Sequence, residues 1–236
     1  MVPERGLSCL SRGIPYIKSR KETYADFGES DLYGILGHRL TEADKIEATV
    51  LGHSIFLKTD EGFQRIELHS EAQFSPAFGA VVADMDGDGH EDIFLSQNFF
   101  AYQIETSRSD AGRGLWLRGD GTGVLVPVPG QESGIEVYGE QRGAAAADFD
   151  GDGRVDLVVS QNGAPTKMYR NILAKPGLAI DDVTFGQFRV KYKNGSYGPL
   201  REIQIGSGYW SQNSSMVVGF RQGEKVIEIM SVDGKV

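Results

Sequence analysis

Apolar and polar positions alternate through the middle of the chain in short stretches, each closed by glycine, aspartate or asparagine. Alternation with period two is the signature of half-buried strands. The predicted strands are Ser54 to Lys58, Phe63 to Leu68, Phe78 to Ala83 and Ile93 to Gln97, then Leu115 to Arg118, Gly123 to Val128, Arg142 to Ala147 and Leu157 to Gln161. "TKMYRN" (166–171) reads as the opening strand of a further unit. Ahead of the strands, "YADFGESDLYGILG" and "LTEADKIEATVLG" carry apolar residues at helical spacing, and Thr41 with Asp44 offers an N-terminal cap. The spacing predicts two short helices there. After residue 176, "TFGQFRVKYKNGSYGPLREIQIGSGYWSQNSS" predicts a hairpin turning at Asn194-Gly195, followed by "VIEIMSVDGKV". The sequence stops just past Asp233-Gly234, where a partner strand is expected, so it is expected to be a piece of something longer.

The strands repeat. Residues 74–98, "FSPAFGAVVADMDGDGHEDIFLSQN", and 138–162, "YGEQRGAAAADFDGDGRVDLVVSQN", superpose without a gap at an offset of 64 residues. Upstream, residues 54–68 and 114–128 correspond at an offset of 60, so four residues were gained or lost in the intervening loop. One four-stranded, blade-like unit is therefore expected twice, and two such units with an opening strand cannot close a ring by themselves. The organisation expected is an N-terminal segment with short helices (1–52), two repeats (53–175) and a small β-rich C-terminal domain (176–236), a mainly β fold.

Composition fits that reading, with 31 glycines and 8 prolines to serve many turns. A formal charge of −9 provides no electrostatic footprint for nucleic acid or an anionic membrane surface, so neither partner is expected. No run of about 20 apolar residues marks a membrane span. The segment before Lys21 carries no apolar stretch that would serve as a signal peptide, so an exported protein is expected to take its signal from elsewhere. Cys9 is the single cysteine and has no partner for an internal disulfide.

The chemistry concentrates in two nine-residue loops of pattern D-x-D-x-D-G-x-x-D. Oxygens at positions 1, 3, 5 and 9, with the backbone carbonyl at position 7, converge on one point in such a loop, and glycine at position 6 permits the sharp turn. The candidate ligands are Asp84, Asp86, Asp88, Asp92 and the carbonyl of His90, and in the second copy Asp148, Asp150, Asp152, Asp156 and the carbonyl of Arg154. Two carboxylates about 4 Å apart repel by roughly 4 kcal/mol at an effective dielectric near 20, so a cation is expected in each loop. All-oxygen ligation favours Ca²⁺ over zinc or copper, while Mg²⁺ prefers sites that keep several waters. Two ions would move the formal charge from −9 to −5. The alternatives are plain Asp-Gly turn chemistry and a helix-loop-helix calcium sensor. The sensor needs a bidentate Glu at position 12, where this chain has Leu95 and Val159 in strand-forming runs.

"FGAVVADMDGDGHEDIFLSQN" and "RGAAAADFDGDGRVDLVVSQN" resemble the FG-GAP or VCBS-type repeat of integrin alpha-chain propellers and many secreted bacterial proteins. "GSGYWSQNSSMVVGF" (206–220), with "VIEIMSVDGK" after it, resembles the ASPIC/UnbV module, although Ser231-Val232 stands where that module usually has Trp-Pro. The resemblance implies a partial β-propeller-like array of calcium-bound, four-stranded blades, located outside the cell or in the periplasm.

Other features carry weaker chemistry. His38, His53, His69 and His90 are scattered and read as surface or turn residues. The excursion at 98–114 holds Phe99, Phe100 and Tyr102, which either bind a ligand or pack between blades. Tyr209 and Trp210 either stack on a sugar or fill a small core, and Asn194 and Asn213 sit in N-x-S sequons. With no catalytic constellation in view, the expected function is a non-enzymatic binding or adhesion module presenting loops to a protein or glycan, with about two Ca²⁺ ions. Further blades of a longer chain are a possible partner. The alternative is a propeller-based enzyme that degrades polysaccharides.

Overall fold

A computed structural model describes residues 3–180, 187–202, 216–220 and 226–231. They divide into two units, one drawn from Met1–Leu51 and Tyr102–Ser107 and the other from Gly52–Ala101 and Arg108–Val236.

The first unit is a cluster of short helices: α1 (Leu7–Gly13), α2 (Ile17–Arg20), α3 (Tyr24–Gly28), α4 (Leu32–Leu36) and α5 (Arg39–Glu42). Their apolar faces meet in a small core of Leu7, Ile17, Phe27 and Ile35. Thr23 caps α3 by accepting the Asp26 amide, and Asp31 caps α4 by accepting the Gly34 amide. The predicted stretch 24–37 is thus two helices rather than one, because Asp31 starts a new cap within it. The predicted helix over 40–52 is not formed beyond Glu42. Thr41 lies inside α5 and donates to the His38 carbonyl instead of capping. Ile46 and Leu51 have the right spacing but remain 96% and 86% exposed, with no apolar surface to reward a helix. Helices α1 and α2 were not anticipated; Leu7 and Ile17 are the buried residues that hold them.

The second unit is mainly β, with five small antiparallel sheets among the described residues. Strands β1 (Ser54–Thr59) and β2 (Gly62–Glu67) form a hairpin. A four-stranded meander follows: β3 (Ala77–Ala83), β4 (Asp92–Gln97), β5 (Leu115–Gly119) and β6 (Leu125–Pro127). Next comes a three-stranded sheet of β7 (Glu140–Ala147), β8 (Asp156–Asn162) and β9 (Ala164–Tyr169). Toward the C-terminus β10 (Leu178–Ile180) pairs with β13 (Met216–Val218), and β11 (Gln187–Tyr192) lies between β12 (Arg201–Glu202) and β14 (Val226–Ser231). The predicted turn at Asn194-Gly195 follows β11. Gly195 has φ 85°, and the Asn194 side chain accepts the Ser196 amide.

The sheets are out of phase with the sequence repeat. The four-stranded sheet takes β3 and β4 from the first copy and β5 and β6 from the second, while "TKMYRN" begins within β9, which ends at Tyr169 and closes the next sheet in the position β5 holds in the one before. The repeat survives at the level of register. Gly79 pairs with Ser96 and Gly143 with Ser160, and an irregularity precedes each glycine.

Layering explains why β4 and β8 are continuous apolar runs. Leu95, Leu115 and Leu117 pack back on Leu68 and Ala72, with Ile55 and Ile93 partly buried there. Val81 and Phe94 instead share a core with Ala144, Ala146, Leu157 and Val159 of the following sheet. The small residues of β7 let the two sheets approach: a Cβ on Gly79 would stand 3.5 Å from the Gly143 Cα. Phe99, from the 98–114 excursion, packs on Phe78 at a ring separation of 5.6 Å, beneath the Arg142 guanidinium. Of the two readings of that aromatic, packing is the one its contacts match. Near the C-terminus Phe188, Val190, Tyr192 and Val218 form a further small core. Tyr209, Trp210, Asn213 and the Asp233-Gly234 turn lie outside the described residues, as does most of the stretch 206–220.

Candidate metal centres

Each aspartate loop joins two adjacent antiparallel strands, β3 to β4 and β7 to β8, and the loops match bond for bond. Asp84 Oδ1 accepts the amides of Gly87 (2.8 Å) and Asp88 (3.0 Å), and its Oδ2 accepts that of Gly89 (2.8 Å). Asp148 does the same with Gly151 (2.9 Å), Asp152 (3.0 Å) and Gly153 (2.8 Å). Position 3 accepts the amide of position 5 at 3.2 Å in both loops. Position 5 accepts that of position 7, from His90 at 2.8 Å and from Arg154 at 3.0 Å. The backbone can curl this tightly because Gly87, Gly89, Gly151 and Gly153 adopt φ of 71°, 90°, 76° and 78°, where a side chain is strained.

Position 9 anchors each loop. Asp92 Oδ2 accepts the Met85 amide and Asp156 Oδ2 that of Phe149, both at 3.0 Å. The other oxygen is clamped from the end of the next strand, Asp92 by Gly119 N–H (2.8 Å) and Asp156 by Asn171 N–H (2.7 Å). Strand pairing makes Gly119 and Asn171 equivalents, since Ile93 opposes Leu117 and Leu157 opposes Tyr169 two positions earlier.

Oxygens of Asp84, Asp86 and Asp88 lie within 4.8 Å of one another, as do those of Asp148, Asp150 and Asp156. Asp92 stands outside the first trio and Asp152 outside the second. Asp152 is turned toward cations, at 2.8 Å from Arg154 Nη1 and 3.5 Å from Arg170 Nη2. Burial raises the Asp152 carboxyl, but those arginine contacts outweigh it and hold the group below the ordinary value.

The first loop is the deeper one. Asp84 is 3% exposed and Asp92 is fully buried. Burial pushes their carboxyls up to about 6 and about 7, against the lowering effect of the backbone amides of Gly89 and Gly119. Asp86 is raised as well, by burial and then by the neighbouring Asp88. Gly219 seals this loop: a Cβ there would come within 1.6 Å of Asp84 Oδ2, so only glycine fits.

Sequence reading missed the cations. Arg118, at the end of β5, pairs with Asp86 at 3.0 Å, and its structural equivalent Arg170, after β9, pairs with Asp150. Both are the residue next to the clamping amide, so "LWLRGD" and "KMYRN" carry the signal once aligned on their arginines. Arg201 pairs with Glu91, at position 8 of the first loop. Of the histidines, His38 and His69 are exposed, and His53 Nδ1 lies 2.6 Å from the Ala72 carbonyl oxygen.

The donor set fits a hard divalent cation. It is all oxygen, oriented in advance by backbone amides, and offers three convergent carboxylates per loop. Between the loops lies a cavity of about 280 Å³, where Trp116 and Tyr169 offer ring surface and Arg118 and Arg170 stand among the lining residues.

Residues 99–159 match the family described as FG-GAP-like repeat, a span that contains the second aspartate loop and not the first. The chain is also 28% identical over 201 residues to cartilage acidic protein 1 of Xenopus tropicalis. That similarity covers 78% of this chain and 30% of the relative's own length. The chain therefore contains an FG-GAP-like repeat in a mainly β array. Among the described residues, no helix is long and apolar enough to cross a membrane.

Proposed function

We propose that this chain is a calcium-binding, non-enzymatic binding module of an extracellular or periplasmic protein, presenting its loops to a protein or glycan. The observation that carries the reading is the duplicate hydrogen-bond scheme that fixes Asp84, Asp86, Asp88 and Asp148, Asp150, Asp156 with their oxygens converging. In the first loop Asp92, and in the second Asp152, complete the donor set together with the carbonyls of His90 and Arg154. Calcium, when bound, supplies the positive charge that cancels repulsion among these carboxylates. The chain's own part is to hold the oxygens in place through the amides of positions 4 to 7 and to tie the loop to its strands through position 9. Millimolar extracellular calcium suits sites of modest affinity, the usual range for such modules. Similarity to the FG-GAP-like repeat supports the extracellular setting and the binding role. The cavity between the loops, lined by Trp116 and Tyr169 beside polar groups, supports a ligand that combines an apolar face with hydrogen-bonding groups, as a sugar does. Residues 206–220 are assigned to an ASPIC/UnbV-like C-terminal module on their sequence alone.

Calorimetry tests the reading. At ten times Kd each ion stabilises the fold by about 1.4 kcal/mol, so millimolar Ca²⁺ against EGTA is expected to raise Tm by roughly 3 to 6 °C per site. An unchanged Tm sinks it.

A further inference from the structure

Resting on the calcium reading above, we infer that the two loops are one coupled unit, joined by Asn171 and the strap that follows it, so that a cation in either loop strengthens binding in the other. The clamp on position 9 requires only a backbone N–H, and at the first loop a glycine, Gly119, supplies it. At the second loop the equivalent residue is Asn171, whose side chain does something the glycine cannot. Its Nδ2 donates to the Met85 carbonyl of the first loop (2.7 Å) and to the Val155 carbonyl of the second (3.0 Å), one hydrogen for each. Its Oδ1 accepts the amides of Leu173 (3.2 Å) and Ala174 (3.0 Å), which turns the chain back across both loops.

The strap then alternates between them. The Lys175 amide donates to the Asp86 carbonyl of the first loop (3.3 Å), and the Gly177 amide to the Gly153 carbonyl of the second (2.7 Å). Arg154, whose carbonyl is the position 7 candidate ligand, donates its Nε to the Ala174 carbonyl (2.7 Å). Contact is close enough to dictate sequence: a Cβ on Gly87 would meet the Lys175 carbonyl oxygen at 2.4 Å, and one on Gly153 the Gly177 oxygen at 2.9 Å. Positions 2 and 3 of one loop and positions 6 to 9 of the other are thus bonded to one seven-residue segment, Asn171 to Gly177. Ordering either loop orders the strap, and an ordered strap lowers the entropic cost of closing the other loop.

Titration of the whole, metal-stripped chain with Ca²⁺ tests this. One variant disables the first loop (Asp86→Asn with Asp88→Asn) and another the second (Asp150→Asn with Asp152→Asn). Coupling free energies of the usual size correspond to factors of about 5 to 150, so each surviving loop is expected to bind at least fivefold more weakly than in the intact protein, and by the same factor in both directions. Asn171→Gly, which restores the situation at Gly119, keeps the amide clamp. It is expected to bind two ions with affinities that no longer depend on the other loop. Should each surviving loop keep its intact-protein affinity, the coupling is overturned while the calcium reading stands, and this comparison does not depend on how the Asn171 variant folds. If coupling persists undiminished in folded Asn171→Gly, the assignment to Asn171 falls. Absence of any binding in the intact chain removes the calcium reading and the coupling together.

Discussion

At the scale of the residue, the same carboxylate serves two purposes that pull in opposite directions. Asp84 is needed as an acceptor for three backbone amides, yet burying it costs free energy whenever it is ionised. That tension makes the metal-free protein sensitive to pH. Asp84 and Asp92 have folded values of about 6 and about 7, above the 3.8 of an unperturbed aspartate, so between those limits the folded state holds more protons than the unfolded one. The contribution of these two carboxyls to stability is therefore fully present below about pH 4, falls as pH rises toward 7, and is lowest above it; each tenfold difference in proton affinity between the two states is worth about 1.4 kcal/mol. In EGTA, the urea midpoint is expected to be lower at pH 7.5 than at pH 5, and calcium is expected to restore it. A midpoint that climbs over this range contradicts the account. Asp92 and Asp152 stand outside the convergent trios with which they were read; the trios Asp84, Asp86, Asp88 and Asp148, Asp150, Asp156 were legible because the nine-residue register occurs twice. Arg118 and Arg170 were not, because a lone arginine after a strand looks like surface until the strands are aligned by their hydrogen-bonding partners.

At the scale of the element, the strands from Ser54 to Tyr169 could be read to within two residues at each end, since alternation or a short apolar run between Gly-rich turns marks each one. Their grouping could not. A sequence period gives the length of a repeat and leaves its phase open, and here hydrogen bonding runs from β4 to β5 across the 98–114 excursion rather than stopping at the repeat boundary. Helical spacing misled at 43–51 for the opposite reason: the pattern was present but no apolar surface met Ile46 or Leu51. The link between β5 and the first loop is testable at Gly119. A Cβ there would meet the Glu91 carbonyl oxygen at 2.1 Å, and its amide clamps Asp92. Gly119→Ala is expected to lower stability by about 1 to 3 kcal/mol, as overpacked sites do, and to weaken calcium at the first loop more than at the second. A urea midpoint and a titration matching the unsubstituted protein count against the clamp.

At the scale of the whole molecule, 33 acidic against 24 basic residues leave a surplus of nine, and nine of the acids, Glu91 among them, sit in two loops of nine residues each. The surplus is thus localised rather than spread as a solubilising surface, and it lies where the layered sheets hand over from one strand pair to the next. Internal arginines already offset part of it in both loops, Arg154 and Arg170 against the four acids of the second, and Arg118 and Arg201 against the five acids of the first. On charge alone the first loop is expected to be the tighter site. The most direct test of the central claim is the stoichiometry of Ca²⁺ bound by metal-stripped protein in isothermal titration, compared with a variant in which Asp86, Asp88, Asp150 and Asp152 are all asparagine. Two ions per chain in the first and none in the second is the predicted result; no bound ion in the unsubstituted protein, or equal binding by both, contradicts it.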